Sequence, residues 1–208
     1  DFVIYGKGDT YEAALADHNK QLEAFLNRCR ERGVKLNRSK MRVNTTNVKF
    51  MGMLLTDKGL LPDDSKVAAI REMATPADKA AVRRLVGMAQ FLARFLPRLS
   101  DVLHPLRELL KDGNEFVWHD NYQGEAFREL KELLCSAPVL QYYDPRKPAV
   151  IETDSSQFGV GCCLFQDDKP ISFASRALTD NQTRWSNIER EAWAVLYSLE
   201  KYHQYTYN

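Results

Sequence analysis

Apolar and polar positions change period several times along this chain, and each change marks an element. Phe2-Val3-Ile4-Tyr5 reads as a short buried strand ended by Gly6 and Gly8. Asp9-Thr10-Tyr11-Glu12 has the form of a capping box. Leu15, His18, Leu22, Phe25, Leu26 and Cys29 then recur at helical spacing as far as Gly33, a natural stop. Short strand-like pieces follow from Val48 to Leu55, with a turn at Lys58-Gly59 and a break at Pro62.

Beyond Pro62 the period becomes helical. Val67 to Met73 predicts a short helix. Lys79 to Phe95 predicts a longer one with an apolar stripe of Val82, Leu85, Val86, Ala89 and Leu92, ended by Pro97. Ser100 to Lys111 predicts a third helix, irregular around Pro105 and closed by Gly113. Phe116-Val117-Trp118 connects to Asp120, read as an N-cap. The helix from about Tyr122 to Cys135 buries Phe127, Leu130, Leu133 and Leu134.

The last block reads β-β-β-α. Its strands are expected near Ala149–Asp154, Val160–Gln166 and Ile171–Arg176, with Asp167-Asp168-Lys169 turning the second hairpin. A helix over 187–203 follows, with Ser186 as its cap and Ile188, Ala192, Val195, Leu196 and Leu199 as its stripe. Antiparallel strands followed by a packed helix give an α+β class.

The chain has 208 residues and is 44% hydrophobic, enough for one large domain or two to three small ones. No apolar run reaches the 18 or so residues that a membrane span needs. The opening inside an apolar segment, with no Met and no leader, reads as part of a longer polypeptide. The net charge of +1 conceals clustering. Arg28, Arg30, Arg32, Lys35, Arg38, Lys40 and Arg42 face only Glu31, and Arg83, Arg84, Arg94 and Arg98 face no acid. Such stripes suit a polyanion track, and equally a solvated helix face with its loop. The four cysteines lack zinc-ligand spacing and read as reduced structural thiols. Cys162 and Cys163 point to opposite faces of one strand, with at least one of them buried.

Two carboxylates carry the candidate chemistry. Asp154 stands where a strand runs into a turn, a position that suits either a metal ligand on a rigid sheet or an Asx-turn. On the last helix Glu189 and Glu191 lie roughly 160° apart around the axis, so only one of them can face Asp154. Glu189, three residues after Ser186, already has a structural role in a capping box.

These blocks, in their order, resemble the polymerase–ribonuclease H polyprotein of gypsy-like LTR retrotransposons, and more distantly of retroviruses. Asp1-Phe2-Val3-Ile4-Tyr5 is similar to the tail of a Tyr-x-Asp-Asp strand. Val34-Lys35-Leu36-Asn37 and Val48-Lys49-Phe50-Met51-Gly52 are similar to later palm strands, and Arg83-Arg84-Leu85-Val86-Gly87 with Arg94-Phe95 to the thumb. Ala137-Pro138-Val139-Leu140 is similar to the segment before the nuclease. Glu152-Thr153-Asp154-Ser155-Ser156, Gly159-Val160-Gly161, Ala174-Ser175-Arg176-Ala177-Leu178-Thr179 and Glu189-Arg190-Glu191-Ala192-Trp193-Ala194 are similar to the start of ribonuclease H. Trp185, where the family usually has Tyr, and Cys162-Cys163 depart from the pattern.

The resemblance implies a C-terminal part of the palm over 1–62, a helical thumb over 63–113, a connecting segment over 114–148 and the first part of a ribonuclease H-like β-β-β-α unit over 149–208. It implies RNA-directed DNA polymerase and ribonuclease H activities using two Mg²⁺ ions. Asp154, Glu191 and Asp1 would be the catalytic metal ligands, with both sites incomplete here and the segment inactive by itself. Nucleic acid would be gripped by Lys49, Phe50, Met51 and Gly52 and by Arg83, Arg84 and Arg94. The implied partners are an RNA–DNA hybrid, a primer-template and the rest of the polyprotein, with no membrane. The implied setting is intracellular, a cytoplasmic virus-like particle or the nucleus. The alternative is a non-catalytic remnant or adopted scaffold that binds nucleic acid or protein.

Overall fold

Helix α1 (Tyr11–Glu31) dominates the first of two compact units, which divide between Met51 and Gly52. The computed structural model describes residues 2–207. Thr10 caps α1 by accepting from Ala13 N, and Gly33, at φ +67°, ends it. Glu12 does not complete the expected box. The helical stripe from Leu15 to Cys29 is turned inward, with Cys29 buried.

Phe2 to Tyr5 is not a strand. Among the described residues this segment has no ladder, and it lies along α1 instead. Phe2 packs on Phe25 at 5.1 Å, and Lys7 N donates to Asp17 Oδ2. A strand without a neighbour gains no backbone hydrogen bonds, so side-chain contact with the helix decides its course. Val34 to Asn37 is also irregular. The Asn37 side chain accepts from Ser39 N and pulls Arg38–Lys40 into a single 3₁₀ turn. Strand β1 (Val48–Phe50) closes this unit.

The second unit begins with the hairpin of β2 (Met53–Thr56) and β3 (Gly59–Pro62), in register Met53↔Pro62 to Thr56↔Gly59. Five helices follow: α2 (Asp64–Arg71), α3 (Lys79–Phe91), α4 (Leu99–Val102), α5 (His104–Glu108) and α6 (Glu125–Cys135). Asp63 and Asp78 cap α2 and α3 through side-chain oxygens. The predicted α3 stripe is buried in full, and it forms one apolar core with Leu96, Leu99, Leu103, Leu106, Phe127, Leu130 and Leu140. Asp120 does not cap the last of these helices. A wide turn over Asp120–Gly124 intervenes, and the Gln123 side chain accepts from His119 N where a cap was expected.

The chain then forms β4 (Val150–Ser155), β5 (Gly159–Gln166) and β6 (Lys169–Ala177), an antiparallel sheet in the order β4-β5-β6. Asp167 and Asp168 turn the second hairpin, both at positive φ. Helix α7 (Asn187–Lys201) crosses one face, and α8 (His203–Thr206) ends the described chain. No helix among the described residues is long and apolar enough to cross a membrane.

Candidate metal and nucleic-acid sites

β4 carries Asp154 in register with Gly161 of β5, and Gly161 pairs in turn with Ser175 of β6. Alternation therefore puts Asp154 on the sheet face of Ser175, which accepts from Ser100 N of α4 at 2.9 Å. The next residue, Ser155, shares its face with Val160 and donates from Oγ to Glu191 Oε1 of α7 at 2.7 Å. So Glu191 reaches β4 from the helix side, while Asp154 belongs to the opposite face of the same edge strand. The direct partner of Glu191 is Ser155.

The helix is turned about its axis relative to expectation. Ile188, Val195, Leu196 and Leu199 are exposed, Ile188 at 81%. Glu191, Ala194, Tyr197 and Ser198 are the residues turned inward. Ala194 and Ser198 are small and let the helix approach Val160 and Cys162 closely. Tyr197 and Tyr202 fill the flanks, and Tyr202 Oη donates to Ser172 O at 2.6 Å. Packing shape outweighs side-chain hydrophobicity here. Ser186 and Glu189 form the capping box that the sequence predicts. That box holds the Glu189 carboxyl below the usual carboxylate range and leaves Glu191 as the sheet-facing acid.

Asp154 is exposed, and no hydrogen bond or ion pair engages its carboxylate among the described residues. Carboxylate oxygens are the donors that hard divalent cations take, and Asp154 and Glu191 each offer such oxygens, but from opposite faces of β4. Among the described residues no group of three or more His, Cys, Asp or Glu side chains is gathered to hold a metal. Asp1 lies outside the described residues. The two strand cysteines are buried on opposite faces as expected, and desolvation pushes Cys162 up to about 11 and Cys163 to about 12.

The predicted nucleic-acid residues separate by surroundings. Lys49 is exposed on β1, and Met51, at φ +49°, is 67% exposed, whereas Phe50 is half-buried. Gly52 has φ +75°, and a Cβ there would stand 2.3 Å from the Phe91 ring, so only glycine admits the aromatic against the backbone. Arg83 and Arg84 are exposed on α3. Arg94 is folded inward, its Nη1 3.1 Å from Met53 Sδ and its Nε buried without a hydrogen bond. A surface depression of ≈ 320 Å³ lies beside α3, lined by Lys66, Arg84, Gly87, Met88 and Phe91. Met88 and Phe91 were not singled out from sequence. The usable signal was Phe91 itself, an aromatic outside the buried stripe and 57% exposed.

Residues 118–208 match the family described as the RNase H-like domain found in reverse transcriptase. The chain resembles the Pol polyprotein of LTR retrotransposons. It is 28% identical over 210 aligned residues to the transposon Tf2-3 polyprotein of Schizosaccharomyces pombe, and 29% identical to Tf2-7 of the same yeast. Both alignments take in 99% of this chain, which spans 15% of the length of those relatives. The fold is similar to that of the foamy viral protease-reverse transcriptase in complex with RNA/DNA hybrid. There the TM-score is 0.81 at 20% identity, covering 96% of this chain and 27% of that one. A dRH form of the same viral protein with double-stranded DNA gives 0.81 at 21% identity, covering 95% and 35%. The β4-β5-β6-α7 block is thus the part of the chain inside the RNase H-like match, together with α6.

Proposed function

We propose that this chain serves an RNA-directed DNA polymerase with ribonuclease H, the machinery that copies RNA into DNA and removes the RNA strand of the hybrid. Residues 1–62 act as palm, 63–113 as thumb, 114–148 as connecting segment and 149–208 as nuclease. The observation that carries this reading is the RNase H-like match over residues 118–208, which contains Asp154 on β4 and Glu191 on α7, the latter tied to β4 by the Ser155 hydroxyl.

In this reading Asp154 and Glu191 would be the residues offering carboxylate oxygens to Mg²⁺, which would supply charge neutralisation at a scissile phosphate and an activated water. The protein's own contribution is positional. Ser155 fixes the Glu191 carboxylate, and pairing with β5 fixes the backbone of Asp154. Arg83 and Arg84 of α3 and Lys66 of α2 provide phosphate contacts, and Phe91 with Gly87 offers an apolar surface to the sugar face of a duplex. Lys49 and Met51, exposed at the end of the first unit, contact a primer strand. Arg94 supports that end of the unit through Met53 rather than by touching phosphate.

A second reading, a nucleic-acid-binding scaffold that cleaves nothing, draws on the placement of Asp154 and Glu191 on opposite faces of β4. One set of measurements separates the two. A labelled RNA–DNA hybrid is titrated with the chain at 50 and 200 mM salt and then incubated with Mg²⁺. Binding should weaken with salt, and the slope should fall by about 2 in an Arg83→Ala/Arg84→Ala variant. Cleavage of the RNA strand that disappears in Asp154→Asn supports the nuclease reading, and binding without cleavage supports the scaffold. No binding at 50 mM salt overturns both.

A further inference from the structure

The basic run at the end of α1 takes no part in either candidate site. From Arg32 to Thr56 the chain holds no Asp or Glu, while Arg32, Lys35, Arg38, Lys40 and Arg42 crowd the start of that stretch. Arg28 and Arg30, just before it, are accounted for locally. They lie in the last turn of α1, where cations suit the backbone dipole, and they donate to Glu31 and Asn27. The other five are exposed, and no hydrogen bond or ion pair engages their side chains among the described residues. Neutral groups hold the backbone there instead. The Asn37 side chain accepts from Ser39 N at 3.0 Å and from Ser39 Oγ at 2.7 Å, and Lys40 N and Met41 N donate to Asn37 O and Arg38 O. A 3₁₀ turn advances only about 2 Å per residue, so Arg38 and Lys40 are drawn together with no acid between them. That repulsion is a cost to the chain alone, and a polyanion relieves it. Val34, Leu36, Met41 and Val43 alternate with the cations and are 40–48% exposed, and Asn44, Thr45, Thr46 and Asn47 continue the exposed stretch with neutral donors.

We propose that residues 32–47 form a further nucleic-acid surface on the first unit, one that grips a sugar-phosphate backbone whatever its base sequence, with Arg38, Lys40 and Arg42 as the central phosphate contacts. This rests on the reading of the chain as one that works on nucleic acid, and it adds contacts that the α3 surface does not supply. Lys and Arg on phosphate fix position and carry no sequence information, and amide and hydroxyl side chains serve the same oxygens. The segment has no aromatic side chain, so it offers no platform for stacked bases, and its aliphatic groups suit sugar faces. An anionic bilayer is the poorer match. It selects a helix with apolar residues gathered on one face, whereas here the chain is irregular and the aliphatic residues are dispersed among the cations.

The test follows binding of a labelled RNA–DNA hybrid to the full chain by fluorescence anisotropy, between about 50 and 200 mM salt. Arg38→Ala/Lys40→Ala/Arg42→Ala should lower the slope of log affinity against log salt by about 3. The rise in salt then costs this variant roughly 40-fold less affinity than it costs wild type. Arg38→Lys/Arg42→Lys keeps both charges and should keep the slope. The thermal midpoint should stay unchanged in both variants, because these exposed side chains have no partner to lose. The loss should add to that of Arg83→Ala/Arg84→Ala, and hybrids of unrelated sequence should give the same values. A triple-variant slope equal to wild type, with the Arg83→Ala/Arg84→Ala loss intact, overturns the proposal and leaves the α3 contacts standing. Arg71, an exposed arginine of α2 paired with Glu72, is the control. An equal fall per charge in Arg71→Ala would show net charge at work rather than this segment, and overturns the proposal too. Capture by phosphatidylserine vesicles that the triple variant abolishes, at an unchanged hybrid slope, assigns the segment to a membrane instead. No hybrid binding at about 50 mM salt removes the nucleic-acid reading and this surface together.

Discussion

Ser155 and Glu191 stand 36 residues apart in sequence and 2.7 Å apart in space, and their bond ties the edge strand to the helix that covers it. The contact is half-buried and its acceptor is charged, so it is worth more than an average neutral hydrogen bond. Ser155→Ala should lower unfolding free energy by about 1.5 kcal/mol in urea titrations. Ser155→Thr, which keeps the hydroxyl, should lose less.

The capping box at the start of α7 is a separate contribution. Ser186→Ala removes the acceptor for Glu189 N and the partner of the Glu189 carboxylate. It should cost about 1 kcal/mol, and Ser186→Gly a few tenths, by the same titration. No loss in Ser186→Ala would mean that the box does not stabilise the helix.

In the helical core, Leu85 is fully buried at the centre of the α3 stripe. Leu85→Ala should destabilise by about 3 kcal/mol, with a cavity that the rigid surroundings fill only in part. Gln90→Ala, on the exposed side of the same helix, should change stability by no more than about 0.5 kcal/mol.

Thiol chemistry should separate the cysteines cleanly. Cys135 is exposed, whereas Cys29, Cys162 and Cys163 are buried, the last two with thiols pushed up to about 11 and about 12 by desolvation. At pH 8 iodoacetamide should therefore add once to the native chain, at Cys135, and four times in urea, as read by intact mass.

Burial against Phe158 holds the His104 ring below the usual histidine range. Glu108 and Asp101 pull its value up, and Lys111 and Arg107 push it down. A depressed folded value means that the unfolded chain binds the proton first. The associated stability is thus complete above about pH 6.5 and is lost as pH falls through the folded value. His104→Gln should flatten the fall of the thermal midpoint between pH 7 and 5. Parallel curves for both chains would remove His104 from acid sensitivity.

Much of this fold was legible because its local signals agree with its packing. The α3 stripe, the three-strand meander and the Ser186–Glu189 box all lie where period and capping chemistry put them. Sequence reasoning failed where contacts between distant residues decide. Phe2 to Tyr5 has strand composition, yet it lies on α1 because no neighbouring strand meets it among the described residues. The α7 stripe was assigned to the core from hydrophobicity, but Ala194 and Ser198 fit the sheet better because they are small. Of the candidate site, the strand that carries Asp154 and the helix that carries Glu191 were readable. That Ser155 is the direct partner of Glu191, and Ser156 that of Asp101, was not, since no local pattern links residues 36 and 55 apart.

The hairpin between β5 and β6 leaves room for improvement by design. Asp167 and Asp168 both sit at positive φ, at 52° and 57°, where a side chain costs about 1 kcal/mol and glycine does not. Asp167 is engaged by Lys147, so Asp168 is the replaceable member of the pair. Asp168→Gly gives the Asp-Gly dipeptide that such tight reversals favour, and it lies at the far end of β5 from the Asp154 turn. A sturdier protein for crystallisation or hybrid-binding work is thus one codon away, with both candidate sites untouched.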